Sequence, residues 1–271
     1  MCEGNVTEQW KLDVWMERIN KVEDCVANIA EQKKSAHDID NILIRNYGRI
    51  ALCLREVLVL LSHGYPDGAL SIARTVYEIN VLTQFIYSKF IEGNSQELIE
   101  RYFADHNVKA YRNLKKLHED ISQTPDVPKQ WQEKAKDFDD KLKELKSQYG
   151  KINEEYWWAN ICFNRKRTTF SMIDEAVNED YLLRMIYKRS CIGIHASAMG
   201  AFALLGRENE DGNIIYTSQT DKGFESPLLL GMVSHDCFVE ILCDYWKIDK
   251  EQLICDMSTT YQEYIEKCLL G

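Results

Sequence analysis

The stretch from Ala69 to Tyr87 constrains the fold more than any other part of the chain. Of its 19 residues only Arg74 and Glu78 are charged, against 28% of the whole sequence. A helix that is apolar nearly all round is one that protein covers on every side, so the segment predicts a buried helix. Arg74 and Glu78 stand four apart and share a face of it. A buried charge requires a partner, and these two can supply each other. Two readings of the pair are open: a structural ion pair that fixes packing, or a polar centre that holds a ligand or orients a catalytic group.

The remaining periodicity is helical as well. Leu12, Trp15, Ile19, Val22, Val26 and Ile29 recur in steps of three and four, which predicts a helix from Gln9 to about Asn46. Ile50 to Ser62 reads as a second, more buried helix. His63 to Gly68 is a turn marked by Gly and Pro, and Asp67 is the expected cap of the next helix, which runs to about Phe90. After a break at Glu92 to Ser95, with Ser95 as N-cap, a helix runs from Leu98 to about His118. Pro125 and Pro128 make residues 122–128 a loop. Lys129 to Gln148 is a charged helix on the outside of the fold, ended by Tyr149-Gly150. Short and long helices follow over Thr168 to Val177 and from Asn178 to about Leu205, the latter closed by Gly206. Asn213 to Thr220 is a short strand or a loop excursion. Pro227 to Trp246 and Lys250 to Leu270 are the last two helices. The fold class is therefore all-α: a bundle-like single domain over residues 1–271 with nine or ten helices and an exposed charged helical hairpin at residues 119–150.

Composition narrows the classes of function. The net charge is −10, and the last 65 residues, from Arg207 on, hold 13 acidic against 5 basic side chains. An acidic whole argues against a general nucleic-acid coat protein. Val108 to Lys151 is locally positive, with 11 Lys and Arg against 8 Asp and Glu, a balance suited to a short RNA. The 9 cysteines include no C-x-x-C pair, and Cys53, Cys162, Cys191, Cys237, Cys243 and Cys268 lie among apolar neighbours. That pattern is expected of reduced thiols, hence of a cytoplasmic protein. No secretory signal is expected at the N-terminus. No run reaches the roughly 18 uninterrupted apolar residues of a membrane span; the best candidate, Ile50 to Leu61, contains Arg55 and Glu56.

Few motifs carry chemistry. Arg101, Asp105, Lys109 and Arg112 form one polar stripe, read as a solvated ladder of ion pairs. Lys188, Cys191 and His195 lie on one helix, and Cys191 and His195 share a face; a thiol nucleophile with its base is outweighed there by a buried thiol beside a hydrogen-bonded histidine. There is no H-E-x-x-H, no zinc-type spacing, no Gly-rich phosphate loop and no G-x-S-x-G elbow, so no metal and no cofactor is expected.

Two resemblances add to this. Ala73-Arg74-Thr-Val-Tyr-Glu78, then Trp157-Trp158, then Arg167-Thr-Thr-Phe-Ser-Met172, Tyr181, Tyr187-Lys-Arg-Ser190 and His195-Ala-Ser197 together resemble an uncharacterised all-helical bacterial family of unknown function, over roughly residues 45–205. That resemblance implies a helical fold in which Arg74, Glu78 and His195 converge. The second is to the HEPN superfamily of helical dimers, which includes metal-independent ribonucleases of toxin–antitoxin and phage-defence systems. Its signature, Arg followed after four to six residues by His, is matched by Arg101/His106, Arg112/His118 and Arg189/His195. Arg112-Asn113…His118 is closest, since Asn113 fills the polar position after the Arg. Arg189…His195 departs from the signature at Ser190 but coincides with the first family's motif. The resemblance implies a homodimer that cleaves RNA, the His serving as acid or base at the ribose 2′-OH and the Arg stabilising phosphate charge. The alternative is a non-catalytic module that binds a small ligand or a partner protein through Arg74, Glu78 and His195. No membrane partner is expected.

Overall fold

The computed structural model describes residues 10–32, 38–93, 95–122, 129–163, 167–178, 181–194, 207–209, 212–214, 223–253, 261–263 and 265–266. The fold is all-α. In chain order the helices are α1 (Leu12–Gln32), α2 (Ile39–Ser62), α3 (Pro66–Ile91), α4 (Gln96–Ser122), α5 (Lys129–Tyr149), a 3₁₀ turn (Trp157–Cys162), α6 (Phe170–Val177), α7 (Tyr181–Ile194), α8 (Glu225–Trp246) and α9 (Lys250–Leu253). Between α7 and α8 lies a small antiparallel pair, β1 (Arg207–Asn209) and β2 (Gly212–Ile214), with Glu208 opposite Asn213. The strand-or-loop segment expected from Asn213 therefore begins as β2, and residues 215–222 lie outside the described residues. So do residues 195–206, onto which the expected helix from Asn178 would extend.

The largest departure from the expected helix boundaries lies between the first two helices. The helix expected from Gln9 to Asn46 ends at Gln32, and the next starts at Ile39 rather than Ile50. Asp40, in the first turn of α2, accepts hydrogen bonds from the Trp246 indole at 2.7 Å and from the Tyr245 hydroxyl, a start signal supplied by distant residues. At the other end Gly64, with φ of +77°, places the chain in the left-handed conformation that closes a helix, and the Tyr65 amide bonds back to the Leu60 carbonyl at 2.9 Å. Pro66 then occupies the first helical position, where its missing N–H costs nothing. Asp67, expected as the cap, lies inside the first turn, where its charge favours the helix dipole.

The chain forms two compact units: Met1–Ala36, Asp40–Gln84 and Asn178–Gly271 make one, His37–Ile39 and Phe85–Val177 the other. In the first unit Trp15, Ile19, Leu43, Tyr47, Leu54, Val76 and Phe238 are fully buried. No residue from 69 to 90 on α3 is exposed, as its composition requires. Residues Leu229–Val233 of α8 form a π turn, a local widening of the kind that often adjusts a helix to its neighbours. Gly231 sits within it, and a Cβ there would meet the Leu54 Cδ2 at 3.1 Å and the Ala73 Cβ at 3.7 Å. α8 is long and apolar enough to cross a membrane, with a mean hydropathy of 1.3, yet 72% of that window is buried inside the protein, as in a core helix.

In the second unit α4 and α5 form the charged hairpin. Tyr111 stacks on Phe138 with ring centres 5.9 Å apart, and Asp139 bridges Lys115 and Lys143. Those hydrogen bonds hold the Asp139 carboxyl down at about 2. Trp157 and Trp158 are buried. The Trp157 indole donates to Asp105 at 2.7 Å, and Trp158 meets Tyr102 edge-on at 5.1 Å and Phe85 at 6.3 Å.

Two substitutions test this packing. Gly231→Val overfills a close helix contact and is expected to lower unfolding free energy by roughly 1–3 kcal/mol, read from the urea midpoint. Asp105→Ala leaves the buried Trp157 N–H without its acceptor and should cost about as much, with altered tryptophan emission.

Candidate functional site

The Arg74 guanidinium donates from Nε to Glu78 Oε1 at 2.8 Å, one turn along α3. The Tyr187 hydroxyl, brought from α7, donates to the same Oε1 at 2.9 Å. The Arg74 guanidinium carbon lies 5.6 Å from the Tyr187 ring centre, within range of a cation–π contact. Tyr187 in turn stacks on fully buried Tyr77 at 4.9 Å, whose hydroxyl accepts from Asn178 Nδ2 at 2.6 Å. Arg74 and Glu78 meet as expected, but they are not sealed in: their side chains keep 23% and 28% exposure. Neither Nη1 nor Nη2 of Arg74 has a hydrogen-bond partner among the described residues. Burial pushes the Tyr187 hydroxyl well above its ordinary pKa, and Glu78 adds to that, so Tyr187 remains a neutral donor. Burial alone would lower the Arg74 pKa, and the Glu78 carboxylate, with smaller contributions from Cys191 and Tyr187, more than offsets it. The result is a fixed cation with an unused donor edge, set on an aromatic platform.

His195, expected to converge on this pair, lies outside the described residues. Arg189 is exposed on α7 beside exposed Lys188, and Cys191 is half-buried.

The Arg112/Asn113/His118 set does not lie on one open face of α4. Arg112 Nη2 donates to the Ile152 carbonyl at 3.0 Å and Asn113 is exposed. His118, expected near an exposed helix end, is only 5% exposed, with its ring 5.5 Å from Phe138 of α5. The hairpin covers it, which sequence periodicity on α4 alone could not reveal. The stripe Arg101, Asp105, Lys109, Arg112 is likewise no solvated ladder throughout. Arg101 pairs with Glu97 and Lys109 with Asp105, but Asp105 is buried under Trp157, and Arg101 lies over the Tyr149 and Trp157 rings.

A second polar cluster escaped the sequence reading. Arg18 of α1, with a side chain 5% exposed, pairs with Asp236 of α8 and lies over the Trp15 ring at 5.2 Å. Asp236 also accepts from the Tyr261 hydroxyl and lies 3.3 Å from His235 Nδ1. That carboxylate favours the tautomer with its proton on Nδ1. The Tyr47 hydroxyl, 3.3 Å from His235 Nε2 and 3.2 Å from the Ile19 carbonyl, is shared between these two acceptors. His235 is fully buried, and burial lowers its pKa below 6.5 despite the opposing pull of Asp236. No motif spacing marks this cluster; its sequence signal is the polar run Ser234-His235-Asp236 within the otherwise apolar stretch from Leu228 to Val239. Among the described residues no group of three or more His, Cys, Asp or Glu is placed to hold a metal ion.

A helical protein with one part-open Arg–Glu–Tyr centre and one sealed polar cluster is the class these features define. The chain belongs to DUF5677, a family of unknown function, which it matches over residues 40–213. That match spans Arg74, Glu78, Tyr187, Arg189 and His195, but neither Arg18 nor the His235–Asp236 pair. No curated protein and no solved structure matches the chain.

The sealed cluster makes stability depend on pH. The folded chain holds His235 neutral, so the unfolded chain binds the extra proton as pH drops. Stability is therefore complete above pH 6.5 and declines as pH falls toward the depressed folded value, by up to about 1.4 kcal/mol per pH unit. Urea midpoints between pH 7.5 and 5 should show a steeper decline for the wild type than for His235→Gln; equal slopes would remove His235 as the cause.

Proposed function

We propose that the chain is a non-catalytic helical module that binds a small anion, a carboxylate or phosphate group, at the Arg74–Glu78–Tyr187 centre. The state of Arg74 carries this reading. Its Nε is taken by Glu78 and its guanidinium carbon lies over the Tyr187 ring, so the side chain is held in place before a ligand arrives. Its two Nη nitrogens carry no hydrogen bond among the described residues, and a guanidinium edge matches the oxygens of a carboxylate or phosphate in bidentate fashion. Preorganisation lowers the ordering cost of binding. Glu78 offsets the positive charge, so directed hydrogen bonds, rather than net charge, select the ligand. No disulfide joins the described cysteines to one another, which supports a reducing, cytoplasmic setting.

A second reading, a metal-independent endoribonuclease of a bacterial defence or toxin–antitoxin system, draws on Arg189, exposed with Lys188 on α7 and six positions before His195. There His195 would exchange the proton of the ribose 2′-OH and Arg189 would stabilise the phosphate.

Thermal unfolding with phosphate, malonate and adenosine monophosphate separates the two. At least one anion should raise the Tm of the wild type, by the equivalent of roughly 2.7 kcal/mol at a hundredfold excess over Kd. Arg74→Gln should abolish the rise and Tyr187→Phe should weaken it. No rise, or one that Arg74→Gln leaves intact, overturns the anion centre. Cleavage of labelled RNA without divalent metal, lost in His195→Ala at unchanged Tm, would instead establish the ribonuclease.

A further inference from the structure

The outward face of α2 carries a seam that the anion centre does not use. Arg45, Arg49, Leu52, Glu56 and Val59 follow steps of four, three, four and three, and all are exposed. Leu52 and Val59 keep 53% and 52% exposure. A sustained alternation of three and four is the spacing by which one helix packs along another, and here it points away from the core. The inner face of the same helix is fully committed: Leu43, Tyr47, Ile50, Leu54, Val57 and Leu61 are buried. Gly48, beside the seam, has no atom within 4 Å of where its Cβ would be, so a neighbouring helix can approach closely there.

The order of charges along the seam says what fits it. Its N-terminal half is basic, with Arg45 and Arg49, and its C-terminal half holds Glu56. Such a strip is complementary to itself when reversed. We infer that α2 pairs antiparallel with α2 of a second copy of this chain, across a two-fold axis beside Leu52. In an isologous contact each surface meets itself. The two Leu52 side chains come together at the axis, each Arg49 faces the partner's Glu56, and Val59 lies over the aliphatic stem of the partner's Arg45. Arg49 and Glu56 are seven residues apart, about 10 Å along one helix, too far to pair with each other in the same chain. Another exposed mixed face among the described residues, with Tyr181, Met185, Lys188 and Arg189 on α7, would set like charges against each other under a two-fold axis.

Light scattering over a concentration series of the whole chain tests this. The mass should rise with concentration from 31.6 kDa toward twice that value. Leu52→Glu, at an exposed position, should hold the protein at the monomer mass with unchanged helicity and with the Tm that the wild type shows when diluted to the monomer. Arg49→Glu and Glu56→Arg should each weaken the dimer at least tenfold through like-charge contacts, and the double variant R49E/E56R should restore it, because the swapped charges meet only across the axis. A wild type that stays at 31.6 kDa throughout, a dimer indifferent to Leu52→Glu, or a double variant no better than the single ones would each overturn the proposal. None of these outcomes depends on whether Arg74 binds an anion.

Discussion

The buried ion pair between Arg18 and Asp236 is the interaction on which the first unit depends. It lies where three segments remote in sequence meet: α1 supplies the guanidinium, α8 the carboxylate, and Tyr261 a third hydrogen-bonding group. Removing one partner of such a pair leaves an uncompensated charge in the interior, a loss of about 3–5 kcal/mol, a large fraction of a typical domain's stability. The pair also sets its neighbours. Asp236 orients His235, His235 shares the Tyr47 hydroxyl with the Ile19 carbonyl, and so α1, α2 and α8 are held in one register. The π turn just before Ser234 belongs to the same arrangement, since it seats Gly231 between Leu54 and Ala73.

Against this sealed cluster the Arg74 centre is built to a different plan. Arg18 and Arg74 are both paired with a carboxylate and both lie on an aromatic ring. Arg18 is buried and is paired through the ion pair with Asp236. Arg74 retains exposure and a donor edge unused among the described residues, while the groups beneath it, Tyr77, Asn178 and Tyr187, are locked together. Rigidity below and an open edge above are what a recognition site needs.

The second unit solves a separate problem. Two adjacent tryptophans must be buried together with the indole N–H of each satisfied or exposed. Asp105 answers for Trp157, and aromatic contacts from Tyr102 and Phe85 enclose Trp158. The charged hairpin of α4 and α5 is held by the Tyr111–Phe138 stack and by lysines converging on Asp139, which explains how a helix as polar as α5 keeps its place.

What the sequence determined by itself was local: the helical class, the buried character of α3, the Arg74–Glu78 pair, the charged helix α5, and the helix ends at Gly64 and Gly150. Each rests on contacts within about four residues, where backbone periodicity and turn chemistry are sufficient. Tertiary structure alone decided which polar residues act together. Tyr187 reaches Glu78 across 109 positions and Tyr47 reaches His235 across 188, and no spacing rule spans such distances. It also decided that His118 lies under Phe138 rather than in the open, and that α2 starts at Ile39, near an Asp40 carboxylate engaged by Trp246. A side chain's exposure depends on what the rest of the chain lays over it, and that information is absent from the side chain's own helix.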